Sequence, residues 1–295
     1  MLKTARYLFQ YSVVWMVLMV TRLIPLDNRG DMIGRLLARL LPLLPRIQNR
    51  AMTNIARAFP DLPEADRLKI AKGAAFNVGK TLTEVLNMDQ FKKNPPKYNV
   101  SGPGLDVLKH ALAKGQGVVI ASAHFGQWEA IRYVIRDLGA EVGAVYRPNN
   151  NPFYEKRFFW AMSLAGGPLY AKGTDQVKDM VRYAAEGGVI AILADQRYRQ
   201  GALVPFFGHD AWTSPAPAAI AMRLKIPLLT IYGVRGSDGI DVVFEDPIPH
   251  SDPITMTNAV HASLEAQIMQ NPDQWYWFHD RWALVPKSSS DEVAV

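Results

Sequence analysis

Cysteine is absent from this 295-residue chain. Its absence excludes disulfides, a thiolate nucleophile and cysteine-ligated zinc or iron–sulfur sites. Also missing are a Pro/Gly/Ser-rich linker, a break in composition, an internal repeat and any low-complexity segment beyond a short polar tail at 287–290. With 49% hydrophobic residues the chain is long enough to bury a sizeable core, and one large α/β domain with a terminal extension follows. The glycine loops of Walker and Rossmann phosphate sites are lacking. So are the H-E-x-x-H helix of zinc hydrolases and the G-x-S-x-G elbow of serine hydrolases. Histidines 110, 209, 250, 261 and 279 show no ligand-like clustering, so neither a metal nor a cofactor is expected.

Acidic residues are scarce at the start of the chain. Residues 1–57 hold nine Lys or Arg against only Asp27 and Asp31, so this segment alone outweighs the net charge of +6. A nucleic-acid binder would spread its basic charge more widely, so no nucleic-acid partner is expected. Basic residues concentrated around an apolar segment suit an anionic membrane surface, at roughly 1 kcal/mol each. A long uninterrupted apolar run is lacking too. Between Arg6 and Arg22 lie 15 mostly apolar residues, short of the roughly 20 that cross a bilayer. Residues 1–27 are read as a membrane anchor, either spanning or lying in the interface, and 28–295 as the catalytic domain. A core-packed amino-terminal helix is the competing reading. Downstream, Ile33, Leu36, Leu37, Leu40 and Leu41 share one helical face opposite Arg35 and Arg39. Such a face suits either a membrane or the core.

From residue 100 onward, short β-rich runs alternate with amphipathic stretches. Strands are expected at 117–123, 140–147, 188–195, 227–235 and 240–245, and helices at 126–138, 152–165, 173–186 and 214–225. Apolar runs such as VVIASA and VIAILA suit strands covered on both faces. The fold class predicted is therefore α/β, a central and mostly parallel sheet flanked by helices, with an amino-terminal membrane-anchoring helix. Ligands of such sheets bind beyond the carboxyl ends of the strands. His124, Arg147, Asp195 and Arg235 each follow one of these runs.

His124 and Glu129 stand five positions apart across a strand-to-helix turn. A histidine can take a proton from a hydroxyl when a carboxylate holds its other ring nitrogen. Gly126 would let the chain bend sharply enough to bring the two together. The spacing alone fits a structural histidine–carboxylate pair equally well. Arg147, Arg197 and Arg235, all near predicted strand ends, point to an anionic substrate, because arginine binds phosphate bidentately and stays charged. Pairing with nearby acids is the alternative for each. Trp275, Tyr276, Trp277, Phe278 and Trp282 are expected to pack in the core, with the wall of an apolar ligand groove as the alternative.

HFGQWE at 124–129 resembles the H-x4-D/E block of glycerolipid acyltransferases, and more particularly that of the bacterial lipid A late acyltransferases. Further blocks follow in family order: YRPNNNP at 146–152, ILADQ at 192–196, VPFFG at 204–208 with Thr213 and the Ala-rich 216–221, and PDQWYWFHDRW at 272–282. Together they span about residues 5–285. The resemblance implies one-step transfer of a fatty acyl chain from a thioester, on acyl carrier protein or coenzyme A, to a hydroxyl of a Kdo-linked lipid A precursor. It implies a place on the cytoplasmic face of the bacterial inner membrane. It makes His124 the general base with Glu129 orienting it. Arg147 would contact phosphate or the developing oxyanion, and Asp195 and Gln196 would shape the site floor. Two positions depart from the family pattern: Gln127 stands where a small residue or Asn is usual, and Asp280 stands between His279 and Arg281 where a basic residue usually follows the histidine. Acylation of another membrane lipid (a lysophospholipid, ornithine lipid or glycosylated inositol lipid), lipid hydrolysis and non-catalytic lipid binding remain as alternatives.

Overall fold

A computed structural model describes residues 2–173 and 175–283; the polar tail at 287–290 lies outside them. Five helices come first: α1 (Leu2–Thr21), α2 (Leu26–Leu40), α3 (Pro45–Ala58), α4 (Glu64–Leu86) and the short α5 (Met88–Phe91). Strands and helices then alternate as β1 (Tyr98–Ser101), α6 (Gly104–Ala113), β2 (Val118–Ser122), α7 (Ala130–Asp137), β3 (Val142–Tyr146), α8 (Pro152–Ser163), β4 (Leu169–Ala171), α9 (Gln176–Ala185) and β5 (Val189–Leu193). A hairpin of β6 (Ala202–Phe206) and β7 (His209–Thr213) precedes α10 (Ala216–Leu224), β8 (Leu228–Gly236), β9 (Gly239–Phe244) and α11 (Pro253–Gln270).

Seven strands form one sheet in the order β1-β9-β8-β2-β5-β3-β4. The pairs β2–β5, β2–β8, β3–β5 and β3–β4 are parallel, and only the β8–β9 pair is antiparallel. The expected mostly parallel sheet flanked by helices is what forms. β2 is the centre, and all five of its residues are buried. That explains why its sequence is continuously apolar rather than alternating. The sequence reading misses β1, the three-residue β4 and the β6–β7 hairpin, into which VPFFG runs as the end of β6 and its turn, and it misses helices α3, α4, α5, α6 and α11 as well.

The amino-terminal helices pack through small residues. α2 buries Gly30 and Gly34 against α4. A Cβ added at Gly34 would lie 2.6 Å from the Phe76 carbonyl oxygen, and one at Gly79 would lie 2.9 Å from the Gly34 Cα. With the glycine face inward, Leu36, Leu37 and Leu40 are turned out to the exterior. α1 touches the domain through one stripe, where Tyr7, Tyr11, Val14 and Leu18 are half-buried or buried. Its remaining surface leaves Phe9, Trp15, Met16 and Val20 exposed, and Leu23 just beyond is 94% exposed. Among the described residues no helix is long and apolar enough to cross a membrane.

Candidate active site

Strand pairing brings the site together. Ser122 of β2 stands opposite Leu193 of β5, and the Ala194 N–H donates to the Ser122 carbonyl at 2.9 Å. The two chains leave the sheet side by side, which sets His124 against Asp195. The Asp195 carboxylate accepts from the His124 backbone N–H at 3.1 Å and pairs with His124 Nδ1 at 2.9 Å. It also accepts from Trp275 Nε1 at 3.0 Å. Burial pushes the Asp195 pKa up, yet the charge and hydrogen bonds of His124 and the indole donor outweigh it. The carboxyl is left below its ordinary value. Ionised Asp195 therefore holds the proton on Nδ1 and leaves the Nε2 lone pair free. The His124 side chain keeps 26% exposure, against 2% for Asp195. Trp128 lies edge-on to the imidazole at 5.4 Å and Tyr276 at 6.1 Å.

The loop from His124 to Glu129 is clamped from below. Gly126 has φ +52°, and a Cβ there would meet the Gly233 carbonyl oxygen at 2.0 Å, so only glycine fits. Its carbonyl accepts from Thr81 at 2.9 Å and Asn77 at 3.3 Å. Fully buried Gln127 donates to Glu84 at 2.7 Å and accepts from the Glu129 N–H at 2.9 Å. Asn77, Thr81 and Glu84 are spaced i, i+4, i+7, one face of α4.

Arg235 completes the clamp instead of reaching for substrate. Its guanidinium donates to Asn77 at 2.8 Å, to Thr81 at 2.7 Å and to both Glu84 oxygens at 3.0 and 2.6 Å. The anion contact expected of it from sequence gives way to this partly buried ion pair, because α4 supplies a carboxylate directly beneath the end of β8. Glu129 departs from expectation as well. Its carboxylate accepts from Arg132 at 3.1 Å, and among the described residues it makes no hydrogen bond to His124. Arg132, one helical turn further on, also donates to the carbonyls of Met162 and Gly166. The chain turns inward as α7 begins, so Glu129 meets Arg132 while the strand-end position of His124 faces the extension of β5.

The other expected residues are dispersed around this pair. Arg147 is exposed beyond β3, and Gln196 is half-buried next to Asp195. Arg197 donates its backbone N–H to His279 Nε2 at 2.9 Å and its guanidinium to the Ala283 carbonyl at 3.1 Å, with Asp280 at 3.6 Å. Burial lowers the His279 pKa to about 4, so that ring is neutral near pH 7. Trp275, Trp277 and Trp282 are buried, and Tyr276 and Phe278 are half-buried. A hollow of about 650 Å³ lies at the opposite end of the sheet, lined by Lys109, Glu141 and glycine turns, with no reactive cluster facing it. Sequence reasoning missed the roles of Trp275 and of the α4 face. The i, i+4, i+7 run of polar residues at 77, 81 and 84 was the available signal for the latter.

A histidine held by a buried carboxylate at the edge of a parallel sheet defines a site that can draw a proton from a hydroxyl. The match of residues 1–283 to the bacterial lipid A biosynthesis acyltransferase model makes the class specific: the chain belongs to that family and is an acyltransferase. It is 26% identical over 260 residues to the lipid A biosynthesis palmitoleoyltransferase of Escherichia coli K12, covering 84% of this chain and 83% of that one. It is 24% identical over 287 residues to the lipid A biosynthesis lauroyltransferase of the same organism, covering 94% of this chain and 90% of that one. A phosphatidylinositol mannoside acyltransferase of Mycobacterium tuberculosis is 25% identical over 186 residues, covering 61% and 58%.

Proposed function

We propose that this enzyme transfers a fatty acyl chain from an acyl thioester, carried by acyl carrier protein, to a hydroxyl of a Kdo-linked lipid A precursor. His124 Nε2 takes the hydroxyl proton as the oxygen attacks the thioester carbonyl. The C–O bond forms, the C–S bond breaks, and the proton passes from the imidazolium to the departing thiolate. Asp195 holds the ring and stabilises its charged form, the role the sequence assigned to Glu129. Glu129 keeps Arg132 and the first turn of α7 in place. Arg147 and Gln196 border the acceptor, and Arg197 braces the carboxyl-terminal segment through His279. The observation that carries this reading is the 2.9 Å His124–Asp195 pair on a partly exposed ring.

The exposed apolar faces of α1 and α2 support attachment to the cytoplasmic side of the inner membrane. On this reading residues 1–27 lie in the interface as the anchor, and 28–295 form the catalytic domain. Exposed Arg35, Arg39, Arg46 and Arg50 border the apolar surface and suit anionic headgroups. The mycobacterial match supports a second acceptor, a mannosylated inositol lipid.

Purified protein given acyl carrier protein thioester and the Kdo-linked precursor is expected to yield a product heavier by one acyl chain on mass spectrometry. His124→Ala should lower turnover by about 10²–10⁴-fold with circular dichroism unchanged. Wild-type turnover by that variant would remove His124 from the reaction. Acylation of an inositol mannoside alone would select the second acceptor.

A further inference from the structure

We infer that Lys172 and Arg199, together with Arg147, form a cradle for a phosphate group on the headgroup of the acceptor lipid, beside the His124–Asp195 pair. This rests on the reading of the site as an acyltransferase working on a membrane lipid, and it adds two residues that the family-like sequence blocks do not contain.

Three observations place the cations together. Tyr146 stands opposite Ala171 in the β3–β4 ladder, and the Lys172 N–H donates to the Tyr146 carbonyl at 2.8 Å. Arg147 and Lys172 thus leave neighbouring strand ends, where strands lie about 4.8 Å apart. The Lys172 ammonium sits over the Tyr198 ring, 4.9 Å from its centroid, which ties the end of β4 to the loop following β5. That loop is pinned by the Tyr198 N–H on the Trp212 carbonyl and the Gly201 N–H on the Tyr198 carbonyl, both at 3.0 Å. Exposed Arg199 lies in this turn, four residues beyond Asp195 in the chain.

All three cations are exposed, and among the described residues none has a carboxylate within ion-pair distance. Other arginines of this region are occupied: Arg197 by Ala283 and Asp280, Arg235 by Glu84, Arg132 by Glu129. Nearby acids are engaged as well, Glu155 by the Asn149 N–H and side chain and Asp175 by Lys178. Like charges gathered without counter-ions are relieved by an anion, and phosphate offers oxygens to several donors at once.

A lipid headgroup is favoured over an acidic protein by what adjoins the cradle. Asn151 Nδ2 donates to the Tyr7 carbonyl at 2.8 Å, and Tyr11 stacks on Phe153 at 6.2 Å. The start of α1, with exposed Lys3 and Arg6, therefore lies against the same loop that carries Arg147. A lipid with its chains along the apolar surface of α1 would present its headgroup phosphate here, next to the base.

The test uses the full-length protein in mixed micelles, with a phosphorylated glucosamine-disaccharide lipid as acceptor and its dephosphorylated form as comparison. Lys172→Ala/Arg199→Ala should raise KM for the phosphorylated acceptor by about tenfold or more. Its kcat, its KM for the acyl donor and its KM for the dephosphorylated acceptor should stay near wild type. Lys172→Arg/Arg199→Lys should restore binding, and Lys109→Ala, at the far end of the sheet, should change nothing. Inorganic phosphate should compete with the acceptor in wild type and less so in the double alanine variant. An unchanged KM for the phosphorylated acceptor overturns the cradle. A rise confined to KM for the carrier-protein donor overturns it too, in favour of an acidic protein surface. If wild type transfers no acyl chain, co-sedimentation with micelles of the phosphorylated lipid decides separately. Binding lost in the double variant would keep the cradle while the acyltransferase reading falls, and equal binding would end both.

Discussion

Two buried carboxylates lie near His124 in sequence or space, Asp195 and Glu129, and their neighbours give them different duties. Asp195 accepts three hydrogen bonds, two of them from His124 and one from Trp275, and is the group that sets the imidazole tautomer. Glu129 faces a guanidinium that is 4% exposed. Asp195→Asn should therefore lower kcat by about 10³-fold or more, since the neutral amide favours the wrong tautomer, with little change in the urea midpoint. Glu129→Ala leaves Arg132 buried beside no carboxylate and should cost about 3–5 kcal/mol of stability, read from urea unfolding. A Glu129→Ala protein as stable as wild type yet inactive would return Glu129 to the chemistry. The H-x4-E spacing was legible in the sequence. The partner of His124 was not, because a carboxylate 71 residues away becomes its neighbour only through the β2–β5 ladder.

At the scale of elements, α4 serves two neighbours at once. One face admits α2 through Gly34 and Gly79, and another presents Asn77, Thr81 and Glu84 to the loop that carries His124. Gly34→Leu should force α2 away from α4, destabilising by roughly 1–3 kcal/mol as an overpacked contact, visible as a lower Tm. Gly34→Ala should fall between the two, and a Tm unmoved by leucine would mean that α2 does not pack this closely. The five expected strands and four expected helices from residue 117 onward were readable because their apolar runs and helical periods are strong. β4 was not, since three residues carry no period, and its place depends on pairing with β3. The α2 helix was readable as amphipathic, but which face would be buried was open. Close glycine packing decided it, leaving Leu36, Leu37 and Leu40 outward while Leu41 of the same face is buried.

Across the whole molecule, the apolar surfaces of α1 and α2 and the arginines beside them lie on the amino-terminal side of an otherwise well-covered α/β body. Co-sedimentation with vesicles containing anionic lipid is expected to be strong at low salt and weaker at high salt, where surface charges are screened. Leu36→Glu/Leu40→Glu should reduce it several-fold while the unfolding free energy from urea titration stays within about 0.5 kcal/mol of wild type, as for exposed positions. Vesicle binding unaffected by this pair would separate the α2 face from the membrane.

By itself the sequence determined the α/β class, the strand-end location of His124, Arg147 and Asp195, the amino-terminal concentration of basic charge and, through its ordered motif blocks, the acyltransferase family. These follow from local periodicity, composition and contiguous residue patterns, which need no knowledge of distant contacts. Only the tertiary structure decided that Asp195 rather than Glu129 holds the histidine. It also decided that Arg235 is bound by α4, and that the strand ends before Arg147 and Lys172 are neighbours. Each of those facts joins residues far apart in the chain, and strand order and helix packing alone bring such residues within the few ångströms over which charges and hydrogen bonds act.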